Sequence, residues 1–280
     1  MQNEDITIIK ARNGWFDVDL KELWKYRDLT LLLVRRNLIS QYKQTVLGPI
    51  WIILNPIITS VIFTFVFGKF AGLSTDGVPQ ILFYLAGSII WSLFSTSVIS
   101  ASNTFITNSV LMGKVYFPRL VLPISQTITS MVGFLVQFAV LMLFTAVYSF
   151  GGMKLHISWY LALIPILILQ TMILSVGVGI IISSVTTKYR DLVIATTFGI
   201  QLWMYITPVV YPLSLTGGYM EKILLLNPMT PIINNFRFAL FGCGQFIWFW
   251  WGVSAAVSIL MLFGGIILFS KIEKTFVDTI

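Results

Sequence analysis

Charge-free apolar runs recur along the chain: about Ile50 to Gly68, Ile81 to Ser102, Leu120 to Phe150, Ile157 to Val185, Leu192 to Pro212 and Phe246 to Ser270. A hydrocarbon core about 30 Å thick needs about 20 apolar residues in helical form, so each run predicts a membrane-spanning helix. The expected fold is an all-α integral membrane protein with six transmembrane helices. The third and fourth runs exceed what a span requires, which predicts tilt or extension beyond the bilayer, and Pro123 is a candidate for the true start of the third.

The segment before the first span is patterned as well. Asp19 with Glu22 resembles a capping box, and Leu20, Leu23 and Trp24 form an apolar stripe beside Lys21, Lys25 and Arg27. Farther on, Leu31, Val34, Leu38 and Tyr42 recur at helical spacing, while Arg35, Arg36 and Lys43 supply cations that snorkel toward headgroups. This predicts an amino-terminal interfacial amphipathic helix on the inner leaflet; a helical hairpin packed on a partner protein fits the same pattern. Gly48-Pro49 ends that helix, and Trp51 sits where an interfacial aromatic anchors the next span. The stretch from Leu213 to Gln245 is too apolar for a solvated loop. Its two apolar pieces, split by Pro228 and Pro231, predict two short re-entrant segments before the last span, or an amphipathic pair on the outer surface. The organisation read from the chain is therefore a cytoplasmic tail with its interfacial helix over 1–49, a transmembrane domain over 50–270 and a second cytoplasmic tail over 271–280.

Composition agrees: 57% of residues are hydrophobic and 10% charged, and the mean hydropathy is +0.88. A soluble domain carries about 25% charged residues, so almost any soluble enzyme of this length is excluded. Lys and Arg number 18 against 11 Asp and Glu. With both termini on one side, fourteen of the 18 cations fall there, and Lys69, Lys154, Lys222 and Arg237 fall on the other. The positive-inside rule makes the fourteen-cation side cytoplasmic. Such a basic balance points to anionic membrane lipid and not to nucleic acid. The first 25 residues include Glu4, Asp5, Asp17, Asp19 and Glu22 and do not read as a cleaved leader. One cysteine, Cys243, and one histidine, His156, imply no disulfide framework and no metal cluster.

The six runs contain no ionisable side chain of the kind an ion-coupled transporter uses at membrane depth. The chain also lacks a G-x-x-x-x-G-K-[ST] phosphate loop, so no cofactor is expected on it and energy for transport must come from elsewhere. Ser88, Ser92, Thr96 and Ser100 recur every fourth residue, as do Ser175, Gly179 and Ser183; close helix packing is their first reading and substrate contact the second. Gln126 and Gln137 share a helix face, and Gln170 and Gln201 add amides on two other helices; each must meet a neighbour or an aqueous pathway. Phe63 with Phe67, and Tyr84 with Trp91 and Phe94, form aromatic faces that either stack sugar rings along a conduit or pack as core. No internal repeat is visible, so a two-fold homodimer is the natural way to complete a pathway.

The strings Lys21-Glu22-Leu23-Trp24-Lys25-Tyr26-Arg27-Asp28-Leu29, Gln41 to Trp51 with Leu47-Gly48-Pro49-Ile50, Asn55-Pro56, Lys188-Tyr189-Arg190-Asp191 and Leu226-Asn227-Pro228-Met229-Thr230-Pro231, with Arg237 beyond, follow one another around the spans. In this order the chain resembles the membrane subunits of ABC-2 type polysaccharide exporters, the permeases for O-antigen, capsule and teichoic acid. The resemblance implies a homodimeric permease in the bacterial inner membrane, bound to two copies of a cytosolic ATPase that carries ATP and magnesium. It would export a lipid-linked polysaccharide and have no ATPase site of its own. By the same resemblance Lys114, Val115, Tyr116, Phe117, Pro118 and Arg119, with Lys188, Arg190 and Asp191, meet the ATPase. Arg35, Arg36, Lys43, Gly48, Pro49 and Trp51 belong to the interfacial helix and gate. Candidates for the translocation pathway are Phe63, Phe67, Tyr84, Trp91, Phe94, Gln126, Gln137 and Gln201. An ABC-2 permease for a drug or lipid, and a membrane-embedded glycosyltransferase, are the alternatives.

Overall fold

The structure is a computed structural model that describes residues 20–43, 47–115, 117–153, 156–186, 189 and 191–273. Two helices, α1 (Leu20–Lys25) and α2 (Arg27–Tyr42), precede the first long one. Helix α3 (Ile50–Phe63) continues as a π-helix to Phe70, and α4 (Gln80–Ser102) returns. Two single turns, α5 (Thr104–Thr107) and α6 (Ser109–Met112), lead to α7 (Val121–Phe150). A 3-10 turn at Trp159–Leu163 opens α8 (Ile164–Thr186), and α9 (Leu192–Ile206) follows. The chain closes with α10 (Tyr219–Leu226), α11 (Met229–Phe241) and α12 (Trp248–Glu273).

The described residues form no strand, and five helical stretches are long and apolar enough to cross a membrane: 50–70, 80–102, 121–150, 159–186 and 248–271. The fifth apolar run departs from expectation. Helix α9 holds 15 residues, about 22 Å at the usual rise of about 1.5 Å per residue, and does not extend to Pro212. Thr207 is extended at φ −95°, ψ 139°, the conformation that a following proline imposes, and Pro208 brings no N–H to continue the ladder. Pro123 lies inside the first turn of α7, where its missing donor costs nothing, so the helix starts at Val121 instead. The two short segments expected before the last span are helices α10 and α11. Helix α11 is largely buried against α4, α8 and α12.

Helix α4 is the axis of the molecule, packed by α3, α7, α8, α9 and α11. Its small residues permit that crowding. A Cβ added to Gly179 of α8 would stand 2.6 Å from the Cβ of Ala101, and the Thr186 hydroxyl donates to the Ser102 carbonyl at 2.7 Å. The Ser175, Gly179, Ser183 stripe is thus a packing seam. Helices α8 and α12 approach closer still, since a Cβ on Gly177 would lie 2.6 Å from the Leu262 nitrogen. Backbone cannot yield as a side-chain tip does. Gly177→Ala is therefore expected to destabilise by about 1–3 kcal/mol, read as a lower unfolding temperature in detergent. Gly199→Ala, where an added Cβ meets nothing within 4 Å, should leave it unchanged or raise it.

A second apolar cluster sits at the amino-terminal face, where Leu33 of α2 packs with Phe105, Phe117, Leu120, Val121, Leu122, Ile180 and Phe269. The buried stripe of α2 keeps Val34 and, in part, Leu38 of the expected one but takes Leu33 in place of Leu31. Leu33 and Val34 are buried, while Leu31 and Leu32 are each 62% exposed. The helix therefore packs on protein along one side and leaves a second apolar side open, and Asp19 of the expected capping box lies outside the described residues.

Candidate functional site

Between α2, α3, α4 and α7, toward the amino-terminal face, lies a cavity of about 730 Å³. The serine and threonine stripe of α4 supplies Ser92, Thr96 and Ser100, and one face of α7 supplies Gln126, Ser130, Phe134 and Gln137 at helical spacing. Trp51 and Asn55 enter from the start of α3, and Arg36, Asn37 and Ser40 from α2. Arg36 Nη2 donates to Asn108 Oδ1 at 2.6 Å and to Asn37 Oδ1 at 3.1 Å. Asn108 in turn donates to the Thr104 carbonyl at 2.8 Å, which ties α2 to the short helices of the α4–α7 loop. Two buried polar atoms on this wall, Asn37 Nδ2 and Gln137 Oε1, have no hydrogen-bond partner among the described residues. Among the described lining residues Arg36 is the one charge, and no carboxylate is present.

Four sequence-derived candidates meet at this cavity: Arg36, Trp51, Gln126 and Gln137. The aromatic candidates do not. Tyr84, Trp91 and Phe94 lie in the central core with Phe63 and Phe67 packed against it. Their rings are spent on one another: Phe63 meets Tyr84 at 6.1 Å and Phe67 at 5.6 Å, and Trp91 meets Phe94 at 5.4 Å. Phe94 also takes Trp203 of α9 edge-on at 5.2 Å. The shared faces were legible, but they face protein. Gln170 is satisfied within the chain, donating to Ser254 Oγ at 2.8 Å and accepting from Trp251 Nε1 at 2.7 Å. Gln201 lies on the open side of α9 beside Phe198 and Tyr205.

Arg35 and Lys43 are exposed, and Gly48 takes the left-handed φ of 49° that turns the chain into Pro49 and α3. In the α4–α7 loop Lys114 and Val115 are exposed, Pro118 and Arg119 are half-buried, and Phe117 is 6% exposed inside the second cluster. Among the described residues of this loop the exposed large apolar positions are therefore Val110 and Val115, not Phe117. Asp191 is exposed at the start of α9; Tyr116, Lys188 and Arg190 lie outside the described residues.

Sequence reasoning counted Arg237 as an outer cation, but it is 3% exposed. Its guanidinium closes the break after α9. Nη1 donates to the Pro208 carbonyl at 2.7 Å, Nη2 to the Val209 carbonyl and Nε to the Phe83 carbonyl of α4 at 3.1 Å. The group also lies 3.7 Å from the Phe83 ring centroid, a cation–π contact. Asn227 Nδ2 donates to Thr207 Oγ1 at 2.8 Å, so the Asn227-Pro228 motif fastens the same break to the start of α11. Nearby, in the loop after α11, burial above all pushes the Cys243 thiol up to about 11, opposed by Arg237 and reinforced by Asp76. The available signal for Arg237 was a single arginine inside the apolar run Phe236 to Phe241.

Long apolar helices, a clamped break after the shorter α9 and a cavity of mixed polar and apolar wall are those of a multi-pass membrane protein. The chain belongs to the ABC-2 type transporter family, whose model matches residues 28–241. It is 28% identical over 251 residues to each of two proteins of Klebsiella pneumoniae named O-antigen export system permease protein RfbA, covering 90% of this chain and 94% of each relative. A Myxococcus xanthus protein of the same name is 27% identical over 221 residues, 78% of this chain and 82% of its own length. Membership of the family implies a partner ATPase.

Proposed function

We propose that this chain is the permease subunit of an ABC exporter for a lipid-linked polysaccharide of the O-antigen kind. It works as a homodimer with two copies of a cytosolic ATPase, with its amino-terminal face on the cytoplasmic side of a bacterial inner membrane. The observation that carries this reading is a large cavity whose wall alternates amide and hydroxyl side chains with Trp51, Ile52, Leu93, Ile99 and Phe134, and which among the described residues has a single cation and no carboxylate. Polyhydroxylated cargo needs many neutral hydrogen-bonding groups, whereas a drug or lipid permease calls for an apolar pocket. A metal-dependent glycosyltransferase calls for carboxylates in the site. The named relatives support the same cargo.

In this reading ATP and magnesium stay on the partner. The partner docks on the α4–α7 loop, and the Arg36–Asn108 bond hands movement of that loop to α2 and the cavity wall. The test is deletion of the gene in its host, with surface glycan followed by gel and by antibody. The deletion is expected to trap glycan inside the cell, and restoration to need this chain and an ATPase together. Surface glycan unchanged in the deletion strain would overturn the reading, as would ATP hydrolysis by the purified chain alone that is lost on mutation within it.

A further inference from the structure

The side of α7 turned away from Gln126 and Gln137 borders a second hollow. Helices α7, α8 and α12 leave an apolar groove of about 240 Å³ between them, and Leu23 of α1 joins its wall at the Leu120 end. From Leu120 to Ile128 the groove runs about 12 Å along α7, most of one leaflet's share of a hydrocarbon core about 30 Å thick. Ile124, Ile128, Val176 and Ile266 in its wall are half-buried, covered by the chain on one side only. Thr127 is the one polar residue among the described lining residues, and its hydroxyl is turned back to the Pro123 carbonyl at 3.2 Å.

Such a groove suits a hydrocarbon chain, and its border decides which lipid supplies it. Residues 21–28, 114–119 and 271–274, which adjoin Leu23, Leu120 and the end of α12, hold seven Lys and Arg against three Asp and Glu. Of these, Lys25 is exposed and Arg119, next to Leu120, is half-buried. Lipid tails are nearly interchangeable to an apolar wall, so selection between lipids falls to the charge at the border. We propose that the groove holds one acyl chain of an anionic phospholipid from the leaflet at the amino-terminal face, with its phosphate beside Arg119 and Lys25. The bound chain fills the space between Leu23 and the long helices and so seats α1, whose six residues are too few to form a stable helix alone. The site is separate from the polar cavity, and the proposal needs only that the long helices cross a membrane.

The full chain in detergent is titrated with palmitoyl-oleoyl phosphatidylglycerol or with phosphatidylcholine of the same chains, and adducts are counted by native mass spectrometry. One phosphatidylglycerol per chain is expected, bound about tenfold more tightly than phosphatidylcholine. Lys25→Gln and Arg119→Gln should each weaken it about fivefold and leave phosphatidylcholine as it is. Val176→Trp fills the groove and should abolish the adduct with either lipid, while Lys222→Gln on α10 changes nothing. Amide hydrogen exchange at residues 20–25 should slow when phosphatidylglycerol binds. Equal affinity for the two lipids, or phosphatidylglycerol binding unaltered in both glutamine variants, overturns the proposal; these variants decide it alone where Val176→Trp does not fold. A folded Val176→Trp chain that binds as the parent does also overturns it, as does the absence of any adduct, the result of a second copy seated in the groove. Displacement of phosphatidylglycerol by a polyprenyl phosphate at a tenth of its concentration overturns it too, and makes the groove a site for a prenyl chain. Exchange at residues 20–25 that bound lipid does not slow overturns the seating of α1. Each of these results leaves the exporter reading standing, because that reading is decided by surface glycan in the deletion strain.

Discussion

Arg237→Met is expected to lower the unfolding temperature of the purified chain as much as any substitution argued here. It removes three hydrogen bonds and leaves the carbonyls of Pro208 and Val209 facing an apolar interior, while that of Phe83 keeps its place in the α4 ladder. Each unsatisfied buried acceptor costs about 1–3 kcal/mol, so a loss of about 3–5 kcal/mol is anticipated after partial relaxation. Arg237→Lys keeps the charge but not the fork that reaches three acceptors, and should fall between. Gly87→Ala attacks the same clamp from α4, because an added Cβ would collide with the Arg237 side chain. The two changes should therefore be strongly non-additive in a double-mutant cycle. Thermal unfolding in detergent and in lipid measures all four. An Arg237→Met chain as stable as the parent would mean that the break after α9 holds without its guanidinium.

The second large effect separates two uses of the α4–α7 loop. Phe117→Ala should cost about 3–5 kcal/mol, because the ring is buried in the cluster that seats α2. Val110 and Val115, 70% and 54% exposed, are not part of that cluster. Val110→Asp and Val115→Asp should leave the unfolding temperature unchanged and reduce ATPase activity stimulated by this chain about tenfold, the scale of losing a central contact in a docking surface. A Phe117→Ala chain that stays stable but loses coupling would place the docking anchor back on the aromatic.

The long helices were legible because apolar runs of span length leave few alternatives. The end of α9 was not, since the residues after Ile206 are as apolar as those before it and only Thr207-Pro208 marks the change of backbone. The Ser92, Thr96, Ser100 stripe and the Gln126–Gln137 face were readable as faces, but which helices they look toward depends on rotations that no single helix encodes. The same limit explains the aromatic set. Tyr84, Trp91 and Phe94 share a side as their spacing requires, and that side meets α3 and α9. Arg237 was least legible, because its acceptors come from positions 83, 208 and 209, two of them in the turn that follows the end of α9.

The clamp at the end of α9 has an electrical side. A guanidinium stays protonated at any physiological pH, so the break carries a permanent unit of positive charge away from water. At an effective dielectric constant near 20, a second unit charge about 10 Å away is repelled by about 1.7 kcal/mol, more than tenfold in occupancy. A second cation beside the guanidinium is disfavoured by this field, part of which the Asp76 charge offsets. The residue that keeps a short helix in place thus also sets the sign of the charge at its end.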